Sequence, residues 1–189
     1  MNVSDTLNYS WQSYKEYKKY YNIEIKSSDL TEICKRVKET YFDPFFVPWT
    51  WSIWERHLEQ YNIYVLVPKN MYPYDMSEII KGLMVCNKNV LFALLIDPSL
   101  HNQGYGKMAM NILNQILLEQ YQYDQKNNHD HNNNNNELPL FRLQVHVDNV
   151  KAQSLYEKYG HFIKKQKLIA YYQDKKDAYL YVWKKPTNN

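Results

Sequence analysis

Apolar and polar positions change period several times along the chain, and each change marks an element. The run Val90–Ile96 (VLFALLI) is continuously apolar, as expected of a strand covered on both faces. Asp97-Pro98 breaks it with a tight turn. A short loop then closes on Gly104-Tyr105-Gly106, and a long amphipathic helix runs on to about Gln120. Upstream, Ile63–Val67 and Glu78–Cys86 read as two more strands joined by a Pro- and Met-containing turn over 68–77. Gly82 lies inside the second of them, where a bulge or close packing is expected. Asn22–Lys26 alternates as Ile23-Glu24-Ile25 and gives a first strand. Ser27-Ser28-Asp29 caps a helix with Leu30, Ile33, Val37 and Tyr41 on one face and Glu32 placed for a capping box. The aromatic segment 41–54 opens as a loop at Pro44 and Pro48 and turns helical over Trp51–Gln60.

Beyond the long helix, residues 123–137 hold two histidines and five consecutive asparagines, a low-complexity insert read as a surface loop. His129-x-His131 within it has no further soft ligand nearby, so no metal is expected. Leu140–Val147 is then a strand, Asn149–Tyr159 a short helix, and Phe162–Tyr172 with Ala178–Lys185 a hairpin-like pair. Asp148 or Asn149 caps the short helix. Ala152, Leu155, Tyr156 and Tyr159 share one face, and Gly160 ends it in the left-handed conformation. Residues 1–21 are polar and tyrosine-rich and read as an appended arm or frayed helix, 22–185 as one domain and 186–189 as a tail. The order is α/β, with a mixed sheet.

Composition narrows the function classes. A chain of 189 residues is one domain with room for a substantial core, and a net charge of +3 suits a polyanionic ligand without the clustered charge of a nucleic-acid binder. Its two cysteines, Cys34 and Cys86, offer neither a disulfide framework nor metal-ligand spacing. No apolar run resembles a signal peptide or spans a membrane, so a soluble cytoplasmic protein is expected, with nuclear entry left open.

Strand, glycine loop and helix start in that order form an anion site, because the first amides of a helix lack intrahelical partners. A phosphorylated ligand is expected there. A Walker loop is excluded, since Met108 rather than Ser or Thr follows Gly106-Lys107. A dinucleotide fold is disfavoured, since the helix is still running at Glu119 where a second strand should end in an acidic residue. What remains, His101-x-x-Gly104-x-Gly106, resembles the acetyl-CoA loop of the GNAT superfamily: Arg or Gln, two residues, Gly, one residue, Gly or Ala. His101 and Asn102 depart from that pattern. A second stretch, from Asn149 through Ala152, Leu155 and Tyr156 to Gly160 and Phe162, resembles the superfamily's Asn-x-x-Ala-x-x-Leu-Tyr helix.

The resemblance covers roughly residues 22–185 and implies a GNAT fold, a mixed and mostly antiparallel sheet of about seven strands flanked by about four helices. It implies acetyl-CoA as co-substrate, held by Leu95, Ile96, His101, Asn102, Gln103, Gly104, Tyr105, Gly106, Lys107, Asn149 and Tyr156. An amine attacks the thioester directly, without a covalent enzyme intermediate. Tyr156 matches the tyrosine that assists the departing thiolate. A phenol at about 10 protonating a thiolate at about 8.5 is uphill by roughly 2 kcal/mol, so hydrogen bonding to the sulfur describes the role better. Where related N-terminal acetyltransferases carry His or Glu, this chain has Gln144; His146, on the same strand face, is either its replacement as base, directly or through water, or a satisfied structural histidine.

The ending Tyr171-Tyr172 … Asp177-Ala178-Tyr179 resembles catalytic subunits of protein N-alpha-acetyltransferases and ribosomal-protein N-acetyltransferases. Protein N-termini are thus the implied acceptors, with an auxiliary subunit or the ribosome as a further partner. Phe46 and Trp49 join Tyr171 and Tyr172 as substrate-binding residues. An α-amino group of pKa about 8 is neutral about one time in ten at pH 7, so weak base assistance suffices. Two alternatives stay open: a small-molecule amine acetyltransferase for an aminosugar or polyamine, and a catalytically weak CoA-binding or partner-binding module.

Overall fold

The computed structural model describes residues 8–21, 60–69, 80–127, 141–172 and 175–186. The strand expected at 22–26, the capped helix at 29–41 and the aromatic segment 41–54 lie outside these residues, as does nearly all of the helix expected over 51–60. Two compact units divide the chain: Met1–Asn87 with Phe92–Tyr105, and Lys88–Leu91 with Gly106–Asn189.

Among the described residues, the first unit holds a four-stranded sheet in the order β1-β2-β3-β4, formed by β1 (Tyr9–Ser13), β2 (Asn62–Pro68), β3 (Gly82–Cys86) and β4 (Leu91–Ile96, whose first residue is assigned to the second unit). β1 and β2 pair antiparallel, as do β2 and β3. All five residues of β3 are buried, which is why its sequence GLMVC has no polar alternation. Gly82 is a close-packing glycine: an ideal Cβ there would lie 2.7 Å from the Leu95 carbonyl oxygen and 3.1 Å from Leu66 Cβ. The N-terminal residues differ from the arm expected of them. β1 is a sheet strand, followed directly by α1 (Tyr14–Tyr21), and Trp11, Tyr14 and Tyr17 are buried. Their polar neighbours lower the mean hydropathy of the segment, but aromatic rings at positions 14 and 17 fall one helical turn apart and share a face.

The second unit holds a three-stranded antiparallel sheet in the order β5-β7-β6, formed by β5 (Arg142–His146), β6 (Phe162–Leu168) and β7 (Ala178–Trp183). Among the described residues, two helices belong with it, α2 (Tyr105–Asn127, whose first residue lies in the first unit) and α3 (Val150–Tyr159). α2 is longer than expected, since 123–127 continue the helix where the sequence suggested that a loop begins; no Gly or Pro interrupts it. Asn114 on α2 ties the unit together. Its Nδ2 donates to the Tyr159 carbonyl at 2.8 Å, and its Oδ1 accepts from Trp183 Nε1 at 3.0 Å. Gly160 is not left-handed (φ −93°); that conformation falls on His161 (φ 56°). Gly160 is needed for space, because a Cβ would meet Phe162 at 2.7 Å and Met110 Sδ at 3.0 Å. Among the described residues, no helix is long and apolar enough to cross a membrane.

Candidate active site

Where β4 ends, Asp97 turns the chain. Its Oδ1 accepts from the Ser99 amide at 2.9 Å and the Ser99 hydroxyl at 2.7 Å, capping the single 3-10 turn Pro98–Leu100. Lys81 Nζ stands 3.6 Å from Oδ2, giving this buried carboxylate a counter-ion. Leu100 is buried and pins the turn, while 101–104 are exposed. Asn102 (φ 62°) and Gly104 (φ 93°) are both left-handed, a conformation Gly adopts freely and Asn better than most other residues.

His101 Nε2 lies 2.9 Å from the Ile96 carbonyl; an oxygen of that kind only accepts, so Nε2 carries the proton and donates. Gln103 Nε2 donates to the Ser99 carbonyl at 2.8 Å. The loop side chains therefore satisfy carbonyls of their own segment. Among the described residues, no group accepts from the amides of Asn102, Gln103 or Gly104. Those amides make a donor-rich loop suited to an anion. Lys107, on the first turn, places its ammonium 5.5 Å from the centre of the Tyr159 ring.

In the second unit Tyr156 is the buried face of α3. Its ring meets Phe162 edge-on at 6.0 Å and Tyr181 at 6.4 Å. Burial, and then the nearby Tyr172 phenol, push its pKa well above that of an ordinary tyrosine, so the hydroxyl keeps its proton. Among the described residues that hydroxyl has no hydrogen-bond partner. Asn149 caps α3, with Oδ1 accepting from the Ala152 amide at 3.1 Å.

His146 is buried at the end of β5, and its ring stacks on Tyr172 at 5.5 Å. The Asp148 amide donates to His146 Nδ1 at 3.0 Å, so in the neutral ring the proton is on Nε2. Base chemistry at this ring would have to use the lone pair that the amide now holds. Gln144, two residues earlier, is half-buried. Tyr172 and the exposed Tyr171 stand edge-on at 5.1 Å, in the β6–β7 turn rather than at the end of a strand. That turn is clamped by Asp177, whose Oδ1 accepts from the Ala170 amide at 2.9 Å and whose Oδ2 pairs with Lys167 Nζ at 2.7 Å.

Of the site residues expected from sequence, Leu95, Ile96 and His101–Tyr105 lie in the first unit, and Gly106, Lys107, His146, Asn149, Tyr156, Tyr171 and Tyr172 in the second. Phe46 and Trp49 lie outside the described residues. Sequence reasoning missed Gln153, whose Nε2 donates to the His146 and Val147 carbonyls at 3.1 and 2.8 Å. A polar residue one position beyond Ala152 on the apolar side of α3 was the available signal.

No family model matches the sequence, and no curated protein matches it either. Solved structures do. The ribosomal-protein alanine N-acetyltransferase of Escherichia coli superposes with a TM-score of 0.62 at 16% identity, covering 96% of each chain. A chain of the NatC complex bound to Gag peptide and CoA gives 0.60 at 16% identity, covering 96% of this chain and 100% of that one. The chain has the GNAT fold. A chimeric spermidine N-acetyltransferase, in part from Vibrio cholerae, gives 0.55 at 17% identity over 94% and 95% of the two chains. The expected GNAT architecture is borne out at the level of fold class, with seven strands in two sheets among the described residues.

Proposed function

We propose that this protein transfers the acetyl group of acetyl-CoA to a primary amine, and that the amine is the α-amino group of a protein N-terminus. The observation that carries the reading is the β4–α2 loop on a GNAT fold: two left-handed residues and a run of amides with no acceptor among the described residues, preceded by a capped turn. Diphosphate oxygens are acceptors only, so backbone donors at a helix start suit them, and His101 in place of Arg or Gln leaves that backbone contribution intact.

The chemistry then asks for three things. The amine nitrogen attacks the thioester carbonyl carbon, the C–S bond breaks, and the sulfur leaves as CoA thiolate or thiol. A backbone amide at the end of β4, that of Leu95 or of Ile96, holds the carbonyl oxygen as it becomes anionic. Tyr156 supplies a hydrogen bond to the departing sulfur, a role for which a phenol that keeps its proton is suited. The amine proton has two routes. Loss to solvent is sufficient for an α-amino group; transfer to His146 requires the bond from the Asp148 amide to open. A His146→Gln variant separates them: a rate loss recovered at high pH assigns the base to His146. A raised peptide KM with an unchanged pH profile assigns it to supporting Tyr172.

Peptide acceptors are supported by the Tyr171–Tyr172 pair on its Asp177 clamp, and by similarity to a ribosomal-protein enzyme and to the peptide-bound NatC chain. Such a substrate implies a cytoplasmic setting and an auxiliary subunit or the ribosome as partner. Similarity to the spermidine enzyme favours a second reading, acetylation of a small polyamine. Labelled acetyl-CoA offered with peptides varied at the first two residues, and separately with spermidine, tests both. Transfer to peptide α-amines is expected. Transfer to spermidine alone selects the second reading, and tight CoA binding without transfer to any amine selects a non-catalytic module. Tyr156→Phe should lower kcat by about ten- to a hundredfold, with coenzyme affinity retained.

A further inference from the structure

We infer that Trp11 of β1 is a positioning residue for the coenzyme loop. The inference rests on the acetyl-CoA reading above and adds a residue far outside the loop in sequence. Register places Trp11 opposite Leu66 and Leu66 opposite Gly82, and Gly82 packs against the Leu95 carbonyl, so one row crosses all four strands. The indole lies along that row. Its Cη2 is 3.1 Å from where a Cβ on Gly82 would stand, so glycine at 82 is what gives the ring its path.

At the far end of the row Trp11 Nε1 donates to the Tyr105 carbonyl at 3.0 Å, a buried hydrogen bond between residues 94 apart in sequence. Tyr105 is the first residue of α2 and is itself buried, and Tyr9, two residues before Trp11, meets its ring edge-on at 5.9 Å. β1 thus grips the first helical residue from two sides. Tyr105 follows directly on Gly104, the left-handed glycine of the donor loop.

The Tyr105 carbonyl shares its peptide plane with the Gly106 amide, so holding that carbonyl fixes the direction of a helix-start donor that would meet a diphosphate. A loop held in its binding conformation spends less of its interaction energy on ordering. Neither end of this bond belongs to the chemistry of acetyl transfer. Its loss should therefore weaken coenzyme binding and spare the chemical step.

The test uses Trp11→Phe in the full chain, which keeps an aromatic ring and removes the donor. Calorimetric titration with acetyl-CoA should show a dissociation constant raised about five- to tenfold, and KM for acetyl-CoA should rise with it, while kcat and KM for the acceptor stay put. Val65→Ala, a buried cavity variant in β2, serves as the stability control. If it lowers the melting temperature as much as Trp11→Phe and also weakens the coenzyme equally, general softening explains the effect and the inference fails. Unchanged coenzyme affinity in Trp11→Phe overturns it directly. Wild-type protein that binds no acetyl-CoA overturns instead the functional reading on which it stands.

Discussion

At Gly82 a single hydrogen decides whether two strands and an indole can approach. Alanine there would put a methyl carbon 2.7 Å from the Leu95 carbonyl oxygen, a backbone atom that cannot swing away, and 3.1 Å from the Trp11 ring. Overpacking of this kind costs about 1–3 kcal/mol. Gly82→Ala should therefore lower the unfolding free energy by that amount, read as a lower urea midpoint, and because Trp11 is displaced, acetyl-CoA affinity should fall too. Cys86, at the other end of the same strand, makes a different prediction. Burial pushes its thiol from an ordinary 9.0 up to about 12. Below pH 9 the thiol is protonated in both folded and unfolded chains, and its full contribution is present. As pH rises from about 9 toward about 12 the unfolded thiol ionises and the folded one does not, so stability is lost. The slope approaches about 1.4 kcal/mol per pH unit for this one group. Cys86→Ala should flatten the alkaline side of the stability–pH curve relative to wild type, as read by urea unfolding at pH 8 to 11. Equal slopes would mean that the thiol is not held in its neutral form.

Elements differed in how far the sequence exposed them. β4 and its turn were legible because a continuous apolar run stopped at Asp97-Pro98, and α3 because an Asn cap, an apolar face and a closing glycine stood in register. β1 was not, since YSWQS buries one tryptophan among half-buried polar and aromatic neighbours, and hydropathy alone reads that as surface. Gly160 shows the same limit at finer grain: a helix-ending glycine suggests a left-handed backbone, yet what it answers here is the closeness of Phe162 and Met110. The site was legible as residue types in order; the direction of each hydrogen bond was not, and His146 depends on that direction. Asn149 turns the distinction into an experiment. Its Oδ1 caps α3, so Asn149→Ala should cost about 1 kcal/mol of stability. Asn149→Ser keeps a cap oxygen and removes the Nδ2 donor without adding charge. If Nδ2 serves the coenzyme, the Ser variant will melt close to wild type but bind acetyl-CoA more weakly; if the residue is a cap alone, affinity will be unchanged as well.

For the chain as a whole, the sequence suggested a domain beginning near residue 22, with an arm before it. The described structure makes that arm the edge of the first unit's sheet, paired with β2 over five residues from Tyr9↔Pro68 to Ser13↔Tyr64. Trp11, Tyr14 and Tyr17 are each at least nine-tenths buried. Burying three side chains of this size contributes about 1.5–3 kcal/mol apiece, so roughly 5–9 kcal/mol depends on residues 9–17. Single domains have about 5–15 kcal/mol of stability in all. Removal of 1–21 would also leave β2 as an uncovered apolar edge, the surface through which strands aggregate. A chain starting at Asn22 should therefore be recovered largely insoluble, or should melt far below the full chain by calorimetry. Supplying residues 1–21 as a separate peptide should raise its melting temperature. A truncated chain that is soluble and melts with the parent would mean that β1 is an ornament of the sheet; it would also remove the physical basis for a coenzyme loop steadied from the N-terminus.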